Sequence, residues 1–156
     1  MSSTEIAEIL TKTKTVAVVG LSNDPQKTSF KVAAYLKQHG YHIVPVNPLV
    51  SEVLGEKSYK SLLAIHKDIQ RNLDVVDVFR KAQDVPPIVQ QAIQLKAAVG
   101  RPFVLWMQMG IVNEEAAEKA RKAGIAVVMD RCLMIEHRRY VCAKSSQEEE
   151  RPPSRL

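Results

Sequence analysis

Five short groups of residues in this chain have the types and spacing to hold an anionic ligand. The first is Gly20-Leu21-Ser22, followed by Lys27-Thr28-Ser29. Gly20 lets the chain turn sharply and brings backbone N–H groups toward a ligand. Ser22 and Ser29 add hydroxyl donors, Lys27 adds an ammonium, and a helix N-terminus just behind them attracts negative charge. Together such groups hold a pyrophosphate. The same residues also read as an ordinary strand-to-helix loop in which Ser and Thr merely cap the helix. The second group, Val46-Asn47-Pro48, lacks any acid before Glu52, and its proline forms a flat wall suited to stacking against a base. It also serves as a plain strand terminator, because the residue before proline is pushed out of the α region.

The third group, Val78-Phe79-Arg80 with Lys81 behind it, sets an aromatic ring and two cations side by side. A base and a phosphate would be served there; one core Phe and two solvated cations is the plainer alternative. In the fourth, Gln108 and Gly110 are ligand candidates, with Trp106 pointing into the core, and Asn113 is a helix cap that is also a candidate contact. The fifth, Asp130-Arg131-Cys132, holds the one side chain among these groups with redox or nucleophilic potential. Arg131 beside Cys132 would lower the thiol's pKa, whereas a buried cysteine would be inert. His39, His42, His66 and His137 are scattered, no cluster has metal-ligand spacing, and no metal site is expected. A spacing of five does not put His137 on the same α-helical face as Cys132.

The elements that must position these groups follow from the hydrophobic pattern. Strands are expected at Thr15 to Gly20, Tyr41 to Val46, Leu73 to Phe79, Phe103 to Met107 and Ile125 to Met129, all continuous apolar runs. Helices are expected from Ser2-x-x-Glu5 onward, where the spacing is that of a capping box, from Thr28 to His39, in a short stretch after Ser61, from Val85 to Val99, from Asn113 to Gly124, and briefly over Leu133 to Arg138. Ser51 to Lys60 reads as irregular. Apolar strands alternating with helices specify a parallel sheet covered on both faces. The fold class is therefore α/β, a three-layer, doubly wound, Rossmann-like five-stranded sheet, with strand order 3-2-1-4-5 expected. All five residue groups then fall at the carboxyl ends of the strands, where such sheets bind ligands.

The 156 residues suit one domain. Residues 1–143 are read as that domain. Residues 144–156, with no apolar period, are read as a disordered tail. A net charge of +5 fits an anionic small molecule and is too modest to argue for nucleic acid. No apolar run is long enough for a membrane span, and the first residues lack the pattern of a signal peptide, so a cytoplasmic protein with reduced Cys132 and Cys142 is expected.

With these residues in place, the chain resembles the stand-alone CoA-binding proteins, which are similar to the CoA-binding domain of the succinyl-CoA synthetase α subunit and of NDP-forming acyl-CoA synthetases. The resemblance runs over about residues 5–140. It is carried by Val-Val-Gly20-Leu-Ser-Asn-Asp-Pro, Val-Pro-Val-Asn47-Pro48, Val-Asp-Val-Phe79-Arg80, Trp106-Met-Gln-Met-Gly110-Ile-Val-Asn113 and Met-Asp130-Arg-Cys132. It implies coenzyme A or an acyl-CoA as ligand. Gly20, Leu21 and Ser22, with Lys27 or Ser29 near, would lie at the pyrophosphate, and Val46, Asn47 and Pro48 at the adenine. Val78, Phe79 and Arg80 would lie on the ribose and pantetheine side, Gln108 to Asn113 along the pantetheine arm, and Cys132 near the thiol. The synthetases carry a phosphohistidine in a further domain and a nucleotide-binding subunit, and neither is found in this sequence. Binding without turnover by the chain alone is the expectation. Two alternatives stay open: a CoA-linked redox protein that forms a mixed disulfide at Cys132, and a nicotinamide-dependent oxidoreductase, NADP before NAD. Protein partners and oligomeric state are not legible.

Overall fold

The structure is a computed structural model and describes residues 1–142. The tail expected at 144–156 lies outside the described residues. Five strands, β1 (Thr15–Val19), β2 (His42–Val46), β5 (Val75–Val78), β6 (Val104–Met107) and β7 (Ala126–Val128), form one sheet in which every pairing is parallel. A separate hairpin pairs β3 (Glu52–Val53) with β4 (Glu56–Lys57) across Leu54-Gly55, both at positive φ. Two central residues in the left-handed region match the twist of a two-residue hairpin turn. Ser51 to Lys60 is thus more ordered than its composition suggests.

Alternate residues of each strand feed two cores. Ala17, Val19, Val44, Val46, Val76 and Val78 pack against α4 (Val85–Val99) and α5 (Glu114–Lys122) on one face. Val16, Val18, Ile43, Val75, Trp106 and Val128 pack against α1 (Ser3–Lys12), α2 (Thr28–Gln38) and α6 (Leu133–His137) on the other. Trp106 is fully buried, and its indole N–H donates to the Arg131 carbonyl at 2.7 Å. Helix starts follow the sequence signals. Ser2 Oγ accepts from Glu5 N at 3.2 Å, Asn113 Oδ1 accepts from Ala116 N at 3.0 Å, and Pro86 and Pro87 occupy the first turn of α4. Ser61 makes no side-chain cap bond; a single 3-10 turn, Leu62–Ala64, follows it, and then a one-turn helix, α3 (Lys67–Gln70).

The strand order corrects the expectation. The sheet runs β2-β1-β5-β6-β7, so its strands in chain order lie 2-1-3-4-5, not 3-2-1-4-5. The reason is visible in β2. Pro45 has no N–H, and its carbonyl, which lies on the same side of the strand as its nitrogen, points outward to accept from Tyr59 N at 3.0 Å. A third strand on that side would lose a ladder bond at Pro45, so β2 is an edge. Among the described residues, the isolated bridge Val46–Tyr59 lies along that edge. The chain therefore steps from β1 to β2 through α2 on one face. It returns past β1 to β5, and onward to β6 and β7, with its connections on the other face, as right-handed crossovers require. The order reverses between β1 and β5. The crevice outside the sheet opens there, between the Gly20 turn and Phe79-Arg80.

Candidate functional site

At that crevice β1 and β5 are locked together. Phe79 N donates to Val19 O at 2.8 Å and Gly20 N to Val46 O at 2.9 Å, so Gly20 is held between both neighbours at φ +87°. The turn that follows is stitched internally. Ser22 N donates to Ser29 Oγ at 3.0 Å, Asp24 N to Ser22 Oγ at 3.0 Å, and Gln26 N to Asp24 Oδ1 at 2.9 Å. Ser22 and Ser29 thereby shape the loop. The N-cap of α2 is Lys27, whose side chain makes no cap bond. Among the described residues, the first N–H groups of that helix keep no side-chain partner and remain a donor set for an anion.

Two cavities flank Arg80. One of about 330 Å³ is lined by Gly20, Val46, Pro48, Lys60, Ser61, Leu62 and Arg80, closed by Pro87 and Ile88 of α4. The other, about 650 Å³, is lined by Thr28, Phe79, Arg80, Lys81, Gln108, Met109, Gly110, Ile111, Cys132, Met134 and Ile135. Arg80 belongs to both and is half exposed, and its guanidinium is 3.6 Å from Asp84. An exposed pair of this kind is weak, so the guanidinium is available to a stronger anion.

The residues singled out from the sequence thus divide. Gly20, Val46, Pro48, Phe79, Arg80, Gln108, Gly110 and Cys132 line the two cavities. Leu21 and Val78 have side chains fully buried in the core. Asn47 spends its carboxamide on the chain itself: Nδ2 donates to Leu21 O and Oδ1 accepts from Leu49 N, each at 2.9 Å, which ties the end of β2 to the turn after β1. Gln108 is buried, and its Oε1 accepts from Leu133 N at 3.1 Å, capping α6. Gly110 N donates to Asp130 Oδ1 at 2.6 Å, joining the loops after β6 and β7. Asn113 caps α5, donates to Ala82 O at 3.0 Å and faces a different groove, between α4 and α5.

Sequence reasoning missed Lys60 and Ser61, which the hairpin and the Tyr59 bridge deliver beside β2. It also missed Met134 and Ile135, whereas Met109 and Ile111 lie within the Gln108–Asn113 stretch expected along the pantetheine arm. Met109 adjoins Gln108 and Gly110, Met134 lies two residues from Cys132, and the flexible apolar character of methionine was the signal to read.

Cys132 is 6 % exposed and no side chain hydrogen-bonds its thiol among the described residues. His137 turns instead to Cys142. Residues Arg138–Cys142 form a π-helical turn, in which positions five apart share a face, and Cys142 Sγ comes to 3.6 Å from His137 Nδ1. Tyr35 Oη completes the group, 2.9 Å from His137 Nδ1 and 3.4 Å from Cys142 Sγ. Burial pushes Tyr35 up to about 12, with Cys142 adding to the rise, while burial and then the neighbouring His39 hold His137 below its usual range. This cluster packs against α1 and the middle of α2, away from the crevice. In the sheet itself Asp77 is fully buried between Val18 and Trp106 with both carboxylate oxygens unpartnered, and burial holds its pKa well above the carboxylate range.

Comparison with known proteins places this geometry. Residues 14–138 match the family described as CoA binding domain. The chain is 40 % identical to the protein YneT of Bacillus subtilis (strain 168) over 136 residues, 87 % of this chain and 94 % of that one. It is 30 % identical to the α subunit of the ADP-forming acetate–CoA ligase II of Pyrococcus furiosus, across 77 % of this chain but 27 % of the subunit. Against that relative the chain spans about a quarter of the length. Among solved structures, a hypothetical protein from Pyrococcus horikoshii OT3 superposes with a TM-score of 0.82 at 40 % identity, covering 90 % of this chain and 93 % of that one.

Proposed function

The chain belongs to the CoA-binding domain family, and on that premise we propose that it binds coenzyme A or an acyl-CoA across the carboxyl edge of its sheet. One observation carries the reading: two cavities of unequal character meet at a single arginine, at the point where strand order reverses. The adenine sits in the smaller cavity against Val46 and Pro48. The diphosphate lies over the Gly20 turn, held by backbone N–H groups, the uncapped start of α2, Lys27 and Arg80. The pantetheine arm follows Phe79 and the Gln108–Gly110 loop toward Cys132.

The reading gives the chain a binding role without turnover of its own. Ligase activity is a property of the far longer relatives, and this chain matches about a quarter of the one with which it is compared. The mixed-disulfide alternative is not favoured, because Cys132 has no base beside it among the described residues and the histidine in sequence reach serves Cys142. The nicotinamide alternative is disfavoured by Asn47, whose carboxamide is already committed to Leu21 and Leu49 and leaves no acid or free acceptor for a ribose diol.

Calorimetry tests the reading directly. CoA is expected to give saturable heat, and NADPH none. Saturable NADPH binding without CoA binding would replace it with the oxidoreductase alternative.

A further inference from the structure

Resting on the CoA reading, we infer that the larger cavity takes the acyl group of an aliphatic acyl-CoA, so that the physiological ligand is the thioester and not the free thiol. The cavity beyond Arg80 measures about 650 Å³, nearly twice the 330 Å³ on the adenine side of the same arginine. A pantetheine arm is slimmer than a nucleoside, yet it has been given the larger space. Its lining holds an apolar set: Phe79, Met109, Ile111, Met134 and Ile135.

Two polar groups on its wall are committed elsewhere. Gln108 Oε1 accepts from Leu133 N, and Gly110 N donates to Asp130. Of the two cations in the lining, Arg80 and the adjacent Lys81, Arg80 also lines the smaller cavity. Arg131, behind the α6 end, is 3.6 Å from the carboxylate of Glu136. A hydrocarbon chain entering there would cover the apolar surface of Phe79, Met109, Ile111, Met134 and Ile135. Met109 is 61 % exposed at the rim. Met109 extends the apolar wall formed by Ile111, Met134 and Ile135 out to the rim, and methionine adapts to chains of differing length. Continuity through Arg80 names the occupant: whatever enters this cavity is attached to the group bound on the other side.

The test is calorimetric titration with CoA, acetyl-CoA, hexanoyl-CoA and succinyl-CoA. Each buried methylene is expected to tighten binding by about fourfold. Hexanoyl-CoA should therefore bind at least about tenfold more tightly than CoA, and more tightly than succinyl-CoA. Met109→Ser, at an exposed position that does not threaten folding, should shrink the ratio of hexanoyl-CoA to CoA affinity several-fold. If hexanoyl-CoA and CoA bind within twofold of each other, or succinyl-CoA binds tightest, the acyl inference falls and the CoA reading stands. If none of the four binds, both fall.

Discussion

A Cβ at Gly20 would lie 2.8 Å from the carbonyl oxygen of Phe79 and 3.0 Å from Cδ of Arg80. The first turn and the end of β5 are thus in backbone contact, and the side chain that bridges the two cavities is packed over a residue that has none. Gly20→Ala should suffer twice, from φ +87° and from the clash. A destabilisation of about 1–3 kcal/mol is expected for the strained conformation alone, together with loss of CoA binding as Arg80 is displaced. Urea denaturation and calorimetry on the same variant read the two effects separately.

Arg80→Ala separates binding from folding. The side chain is half exposed, and its contact with Asp84 is a surface pair, so stability should change by less than about 1 kcal/mol. A charge-assisted contact to a phosphate is worth about 1.5–3 kcal/mol, so CoA affinity should fall about 10- to 100-fold. The salt dependence of binding should flatten with it. Unchanged affinity would remove Arg80 from the proposed site.

Asp77 makes a prediction about pH. Its carboxyl is held far above the unfolded value of 3.8 by burial. The folded state therefore keeps a proton that the unfolded chain releases, and stability must fall as pH rises above about 3.8, by up to about 1.4 kcal/mol per pH unit. The fall ends once pH passes the folded pKa. Asp77→Asn should abolish this slope, so that its advantage over the parent grows from pH 4 toward neutrality. Urea midpoints measured from pH 4 to 8 give the answer, and parallel curves for the two proteins would show that Asp77 is solvated or paired.

His137 acts in the opposite sense. Burial and His39 hold its pKa below 6.5, so the unfolded chain binds the proton first and stability is lost as pH falls through 6.5 toward the folded value. Imidazole NMR titration should place His137 below 6.5. His137→Gln should flatten the acid limb near pH 6 while leaving the Asp77 slope in place.

The two thiols should differ in reagent access. Cys142 is half-buried and Cys132 nearly closed off. Alkylation followed by peptide mass mapping should mark Cys142 first. CoA or an acyl-CoA should slow the residual labelling of Cys132, which lines the cavity, and leave the Cys142 rate unchanged. Equal protection of both would place the ligand elsewhere.

Local sequence was sufficient to specify the five sheet strands, the longer helices and most of the candidate residues, because each signal is short-ranged. Apolar runs mark buried parallel strands, Ser2 and Asn113 cap helices through bonds three residues long, and Gly20 turns the chain where no Cβ fits. It was also sufficient to place those candidates at strand ends, since chain order alone does that. Even Pro45 announces an edge strand, although the expected order 3-2-1-4-5 passed over it.

Tertiary structure decided what depends on partners distant in the chain. Asn47 looked like a ligand contact until Leu21, 26 residues away, took its amide. Gln108 became the cap of α6. Arg80 became central only because β5 pairs with β1, which moved the order reversal to its own strand. His137 passed from the neighbourhood of Cys132 to that of Cys142 because a π-helical turn changes which residues share a face. A hydrogen-bonding side chain declares its chemistry in the sequence, but whether a ligand or the protein itself satisfies it is settled only when the sheet fixes its neighbours.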